Sequence, residues 1–147
     1  MGNHVYDGQT LSDEVFLDVD FSGSSFDGAH LRNCRFTRCT FQDVTMLECD
    51  TTSAWFEECN FNGATLGGSN HKATSFINCR FGNASMFDVS LLDCRLLGSD
   101  FGEISLFSCT IKGGDWSYVN LPNQNLSGQD LREVKFEEVD LSGCNLE

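Results

Sequence analysis

The feature that most constrains this chain is an apolar residue at every fifth position, from Tyr6 to Leu146. Only Thr51 and His71 depart from this rule, and no insertion shifts the register. Neither an α-helix, with a period of about 3.6 residues, nor an ordinary strand, with a period of about 2, produces a repeat of five. The chain is therefore expected to fold as a repeat architecture whose unit has five residues.

The positions around each apolar centre define the shape of that unit. The residue two places before the centre is small or slim, and all eight cysteines stand there. The residue two places after it is frequently Gly, as at Gly23, Gly63 and Gly143, and Gly allows the positive φ of a tight corner. Four such sides make a turn of about 20 residues. We predict an all-β fold: a right-handed, quadrilateral β-helix of about seven coils, forming a single domain over residues 1–147.

Residues 20 apart should stack on one another in successive coils. This places two neighbouring Phe columns inside the β-helix: Phe16, Phe36, Phe56 and Phe76 in one, and Phe21, Phe41, Phe61, Phe81 and Phe101 in the other. Cys39, Cys59 and Cys79 form a third column, with parallel side chains that are poorly oriented for a disulfide. We therefore expect free thiols, which are typical of a reducing compartment.

The charge of the chain limits its partners. Asp and Glu number 22 against 9 Lys and Arg, which gives a net charge of -13. Nucleic acid and anionic membranes repel such a protein, so we expect no direct contact with either, and a protein partner with a basic surface. The sequence has neither an apolar run of about 18 residues nor a secretory signal, and we expect a soluble, cytoplasmic protein.

Two features suggest chemistry but have simpler explanations. The segment 18–23 resembles the first half of a calcium loop, yet Ala29 stands where the loop requires Glu. His71 is either a ligand or acid–base group, or a packed imidazole bonded to a nearby hydroxyl or backbone group, and we favour the packed imidazole. We expect no catalytic residue, no metal, no cofactor and no enzymatic activity. A polar cavity around Thr51 and His71 would contradict this expectation.

Acidic residues are concentrated on two adjacent sides of the predicted coil. These are the side centred on the Phe21 column (the Phe21 side) and the next one, centred on Phe26 (the Phe26 side). Together they carry ten acidic residues and one basic residue, whereas the other two sides carry eleven acidic residues and eight basic residues. The candidate partner-binding residues, called here the acidic stripe, are Asp20, Asp27, Asp43, Glu48, Asp88, Asp100, Glu103 and Asp140. The stripe either keeps the protein soluble or occupies a DNA-binding groove, since its charge density is roughly half that of B-DNA.

The repeats resemble those of a known family. Stretches such as 61–66 (FNGATL) and 140–146 (DLSGCNL) resemble the pentapeptide repeat family. The loop-free register, the cysteine-rich slim positions and the segments 69–72 (SNHK) and 75–79 (SFINC) resemble its MfpA and Qnr quinolone-resistance branch. This resemblance implies a DNA mimic that binds DNA gyrase or topoisomerase IV and either inhibits the enzyme or protects it from fluoroquinolones.

The resemblance leaves two questions open. The alternative function is a structural scaffold that binds another protein through a flat face of the coil. Members of the branch usually end in a helix that caps the coil and mediates dimerisation, whereas here the repeat pattern continues to Leu146. An uncapped last coil would expose Phe136, Leu141 and Leu146, so the C-terminal coil is a candidate for homodimer contacts.

Overall fold

The computed structural model describes residues 4–102 and 104–147. Its regular elements are strands of three residues each, because a five-residue side with a corner leaves no room for more. They are β1 (Val15–Leu17), β2 (Arg35–Thr37), β3 (Trp55–Glu57), β4 (Asn70–Lys72), β5 (Ser75–Ile77), β6 (Ser90–Leu92) and β7 (Thr110–Lys112). In this part of the chain no helix is long and apolar enough to cross a membrane.

The strands form two parallel sheets on different sides of the coil. The first has the order β1-β2-β3-β5 on the side centred on Phe16 (the Phe16 side), and the second has the order β4-β6-β7 on the side centred on Leu31 (the Leu31 side). Partners are 20 residues apart, as in Phe16 with Phe36 and His71 with Leu91. One turn therefore has 20 residues and four sides, and the predicted right-handed quadrilateral β-helix is confirmed.

The number of coils differs from the prediction. Strands extend from Val15 to Lys112, about five turns, instead of about seven. Towards either end the pairing is reduced to isolated bridges, such as Val5 with Ser25 and Asn125 with Asn145. The sequence period continues through these end coils, but it does not specify how much of their backbone pairs as regular strands.

The predicted Phe columns fill the interior. In one column the ring centroids of Phe36 and Phe56 are 4.8 Å apart and nearly parallel. The other column has Phe41 and Phe61 at the same spacing. Rings of neighbouring columns meet edge to face, as Phe56 meets Phe61 at 5.3 Å. Stacked and edge-to-face pairs are both favourable ring geometries, and they hold adjacent coils in register.

Two glutamines interrupt the regular backbone pairing in the later coils. On the Phe26 side the bridges connect Thr65 to Ser85, stop, and resume at Asn125 with Asn145. Gln124 fills part of this gap, since its amide donates to the Ile104 carbonyl (2.6 Å) and accepts from the Leu106 amide (3.1 Å). On the next side, the Leu31 side, the Gln129 amide likewise donates to the Cys109 carbonyl and accepts from the Ile111 amide. The uninterrupted sequence period did not predict this break.

Candidate partner-binding surface

Three residues of the acidic stripe occupy corners of the coil. Asp43, Glu48 and Asp88 are exposed and have φ angles of 56°, 55° and 58°. The left-handed conformation is disfavoured for residues other than Gly. Among those residues, Asp and Asn tolerate it best. Asp43 lies on one edge of the Phe26 side, while Glu48 and Asp88 lie on its other edge. The Phe26 side is therefore bordered by carboxylates on both edges.

Three other stripe residues lie one place before an apolar centre of the Phe21 side. Asp20, Asp100 and Asp140 each accept a hydrogen bond from the backbone amide two residues later, at 2.8–2.9 Å. Hydrogen bonds from Ser22 lower the pKa of Asp20, and those from Ser142 lower the pKa of Asp140. These bonds orient the three carboxylates at the surface and, for Asp20 and Asp140, favour the ionised form.

The last two stripe residues are Asp27 and Glu103. Asp27 is half-buried and accepts a hydrogen bond from the Leu47 amide of the next coil at 2.8 Å. Its own amide donates to Asp7, 20 residues earlier, at 2.9 Å. Glu103 lies outside the described residues. The structure thus places seven of the eight stripe residues on the two predicted sides.

None of the seven stripe carboxylates within residues 4–102 and 104–147 forms an ion pair there. All the Arg and Lys ion pairs seen there lie on the Leu31 side or the Phe16 side: Arg32 with Asp50, Arg38 with Asp18, Arg132 with Asp130, and Lys135 with Glu137. Arg80 is the one cation in the sequence of the two stripe sides. Negative charge is therefore locally compensated on one half of the coil and uncompensated on the other.

The compensated half also has a basic and aromatic cluster. On the Phe16 side the Trp55 ring lies 4.8 Å from the Arg35 guanidinium and 5.7 Å from that of Arg95. The indole N–H of Trp55 donates to Glu57 at 3.1 Å. These contacts engage the cations within the protein and strengthen the contrast between the two halves.

Two Phe side chains on the Phe26 side are exposed, and the charge distribution in the sequence did not predict them. Phe87 is 70% exposed and Phe107 is 57% exposed. Both stand one place after an apolar centre, where the repeat directs a side chain outwards. A Phe at an outward position could have indicated a surface contact in the sequence, since such a side chain does not pack in the interior of the coil.

His71 has the packed environment favoured from the sequence. It is 1% exposed, with Nδ1 2.6 Å from Thr51 Oγ1 and Nε2 2.8 Å from Ser69 Oγ. One arrangement satisfies every group. Thr74 Oγ1 donates to the Thr51 carbonyl and accepts from the Thr51 hydroxyl. Nδ1–H then donates to Thr51, and Nε2 accepts from Ser69. Burial lowers the pKa of His71 to about 4, so the imidazole is neutral.

The cysteines are free thiols, as expected, and they contribute more than volume. Each of several thiols donates to the carbonyl 23 residues earlier, as Cys79 does to Phe56 (3.3 Å) and Cys109 to Met86 (3.1 Å). Ser99 makes the same bond to Phe76 at 2.6 Å. The slim position therefore supplies donors to the backbone of the preceding coil. Burial raises the pKa of Cys49 and Cys94 to about 12.

Four-sided coils, a stacked apolar interior and a 20-residue register define a parallel β-solenoid built from five-residue units. Comparison with known families agrees with this class. The model described as "Pentapeptide repeat region" matches residues 69–146, and "Pentapeptide repeats (8 copies)" matches residues 16–50. The chain belongs to the pentapeptide repeat family.

Individual relatives are more distant. A stretch of 47 residues is 38% identical to the pentapeptide repeat protein MfpA of Mycobacterium tuberculosis. This match covers 32% of the chain and about a quarter (26%) of the length of MfpA. Among solved structures, full-length QnrB1, a plasmid-mediated fluoroquinolone resistance protein, has 15% identity and a TM-score of 0.48, with 99% of this chain and 85% of that chain covered. HetL of Nostoc sp. strain PCC 7120 has 16% identity and a TM-score of 0.36, with 97% and 89% covered.

Proposed function

We propose that the protein is a DNA-mimicking binding protein that engages the DNA-binding groove of a type II topoisomerase, either DNA gyrase or topoisomerase IV. The observation that carries the proposal is the distribution of charge. The Phe21 and Phe26 sides carry uncompensated carboxylates, whereas the ion pairs of the described residues lie on the opposite half. A fully compensated surface would have no electrostatic preference for a basic groove.

The geometry of the coil supports a groove as the partner. Successive turns repeat at the spacing of adjacent strands, about 4.8 Å, so the stripe carboxylates are separated by whole multiples of this spacing along two adjacent sides of the coil. Residues 59–68 and 119–128 of these sides carry no carboxylate. A DNA-binding groove has basic residues arranged to neutralise phosphates along a duplex. The acidic stripe and a basic groove are complementary in charge, and opposite potentials of this kind accelerate association and select the partner.

Two further observations favour binding over catalysis. Both ring nitrogens of His71, the histidine on an interior position, are hydrogen bonded to protein hydroxyls. Burial raises the pKa of the Cys49 and Cys94 thiols to about 12, which keeps these two thiols protonated and unreactive. The sequence similarity to MfpA supports the same class of function. The proposal is a non-catalytic protein that inhibits the topoisomerase or protects it from fluoroquinolones.

The test uses purified gyrase in a supercoiling assay, with and without a fluoroquinolone. We expect micromolar protein to change supercoiling or drug sensitivity, and the triple variant Asp43→Asn, Asp88→Asn, Asp100→Asn to lose the effect. Binding of the triple variant should be weaker by about tenfold or more and less dependent on salt. Asn retains the side-chain oxygen and tolerates the left-handed corner conformation, so the coil is left intact.

The matched control removes the same number of charges from the other two sides, with Glu58→Gln, Asp93→Asn and Glu133→Gln. This control should act like the wild-type protein. Equal loss in both variants would indicate a general charge effect and contradict a stripe-specific interface. If the wild-type protein alters neither supercoiling nor drug sensitivity, the topoisomerase is not the partner.

A further inference from the structure

A column of apolar side chains lies in the corner turns at one edge of the Phe26 side. Leu47, Phe87 and Phe107 occupy one outward position in three coils and are 40%, 70% and 57% exposed. The remaining residues at this position are polar or Gly: Asp7, Asp27, Gly67, Ser127 and Glu147. Exposed apolar side chains that recur in one column are typical of an interaction site. This column, Leu47, Phe87 and Phe107, is called here the apolar column.

A groove connects the two Phe residues of the apolar column. It has a volume of about 490 Å³ and is lined by Ala84, Ser85, Met86, Phe87, Ser105, Phe107 and Ser108. It lies where the bridges of the Phe26 side stop after Ser85. Because these two coils are not joined here by regular pairing, the surface opens between Phe87 and Phe107. Two neighbouring depressions continue it around Ile104.

The charges around the groove select its occupant. The sequence of the Phe26 side has no Lys or Arg. Asp88 follows Phe87 directly, whereas Glu48 on the same edge and Asp43 on the opposite edge lie two coils earlier in the chain. A nucleic acid or an anionic membrane would be repelled by these carboxylates. A second copy docked through the same side would bring equal charges together, which is unfavourable.

We infer that the apolar column and its groove form the centre of a docking site for a basic protein segment that inserts an apolar side chain between Phe87 and Phe107. The carboxylates at the two edges contact the basic residues that flank this side chain. Interfaces commonly have such an apolar, aromatic centre with a charged rim. The inference rests on the proposed function in taking the acidic stripe as the recognition surface. It adds a contact that duplex DNA, with its charged backbone, does not offer.

The first test is independent of any topoisomerase. Two Lys-rich peptides of equal charge are titrated into the protein by calorimetry, one with Leu at two positions and one with Ser at both. The wild-type protein should bind the Leu peptide about tenfold more tightly, as expected for one anchoring side chain. In Phe87→Ser/Phe107→Ser this ratio should fall to about 1. Serine is the native residue of the same column at Ser127.

The matched control is Val15→Ser/Leu17→Ser, which removes two exposed apolar side chains (72% and 57% exposed) from the Phe16 side. It should retain the wild-type ratio. Equal binding of both peptides by the wild-type protein, or an unchanged ratio in the double Phe variant, overturns the inference. So does a wild-type dimer in sedimentation that the double Phe variant lacks, because a second copy would then cover the column.

The second test repeats the comparison with purified gyrase. The double Phe variant should bind about tenfold or more weakly while keeping the salt dependence of the wild-type protein. If gyrase binds both equally and the peptides are not distinguished, the docking site is wrong and the proposed function remains. If gyrase does not bind the wild-type protein but the peptides are distinguished, the proposed function is wrong and the docking site remains.

Discussion

The buried imidazole of His71 makes a specific prediction about stability and pH. It is 1% exposed, both ring nitrogens are hydrogen bonded, and burial lowers its pKa from 6.5 to about 4. In the unfolded chain the same group titrates at its ordinary pKa of about 6.5. Between these two values the unfolded state binds a proton that the folded state does not. Folding stability therefore decreases as the pH falls through this range.

The magnitude follows from the size of the pKa shift. One unit corresponds to about 1.4 kcal/mol. The contribution of His71 is complete above pH 6.5, is reduced by about 2 kcal/mol at pH 5, and is reduced by about 3 kcal/mol near pH 4. Below pH 4 the folded state also binds the proton, and the loss reaches a plateau. Such a loss is a large part of the usual stability of a domain.

The comparison protein is His71→Leu, because Leu is the native residue of the same column at Leu31 and at Leu91, and Leu91 pairs directly with His71. This variant leaves Ser69 Oγ without its partner, so we expect it to be less stable by about 1–3 kcal/mol at pH 7.5. Its other titrating groups, including His4 and His30, are the same as in the wild-type protein. The difference in unfolding free energy between the two proteins therefore isolates the contribution of His71.

The assay is urea unfolding at 25 °C, followed by far-UV circular dichroism at intervals between pH 7.5 and pH 4. We expect the stability advantage of the wild-type protein to shrink by about 2 kcal/mol between pH 7.5 and pH 5. In parallel, the imidazole resonances of His71 should remain those of a neutral ring at pH 5. An advantage that is constant to within about 0.5 kcal/mol, or that grows on acidification, would refute the reasoning.

Two other predictions concern the interior. Gly114 has a φ of 96°, and a methyl group there would lie 2.2 Å from the Cys94 carbonyl oxygen, so Gly114→Ala should cost more than about 3 kcal/mol. Gly128→Ala, which has a positive φ but open space, should cost about 1–2 kcal/mol, and equal losses in urea unfolding would contradict this. In the native protein at pH 8, a thiol reagent should modify the half-buried Cys144 first, with the seven buried thiols reacting only on unfolding. Rapid modification of a second native thiol would count against it.

The five-residue period was sufficient to predict the architecture of the interior. It identified the side, the 20-residue turn and both Phe columns, because the size of a side chain at a fixed position determines how coils stack. It also identified the cysteines as free, slim interior residues. It did not predict that thiols such as that of Cys79 donate to the preceding coil, since a pattern of volumes contains no information about hydrogen-bond partners.

The features that the sequence did not reveal depend on the length of individual side chains and on contacts between coils. Gln124 and Gln129 keep the period but are too long for the slim position, and their amides replace backbone pairing. The groove between Phe87 and Phe107 lies where backbone pairing stops after Ser85, and the five-residue period does not indicate this stop. The exposure of stripe residues such as Asp43 was predictable because outward positions are fixed by the repeat. Their partner depends on another molecule and stays a proposal.

The 20-residue register has a consequence for how such a protein can vary. Each coil pairs with the coil before it and the coil after it, through residues that are 20 apart. Removal of one such block would shorten the rod by a single strand spacing, about 4.8 Å, and duplication would lengthen it by the same amount. Every remaining side chain would keep its orientation. The length of the rod therefore changes only in steps of one coil, and such a change does not alter which side carries the charge. Relatives could change their reach along a partner in whole coils without redesigning the contact surface.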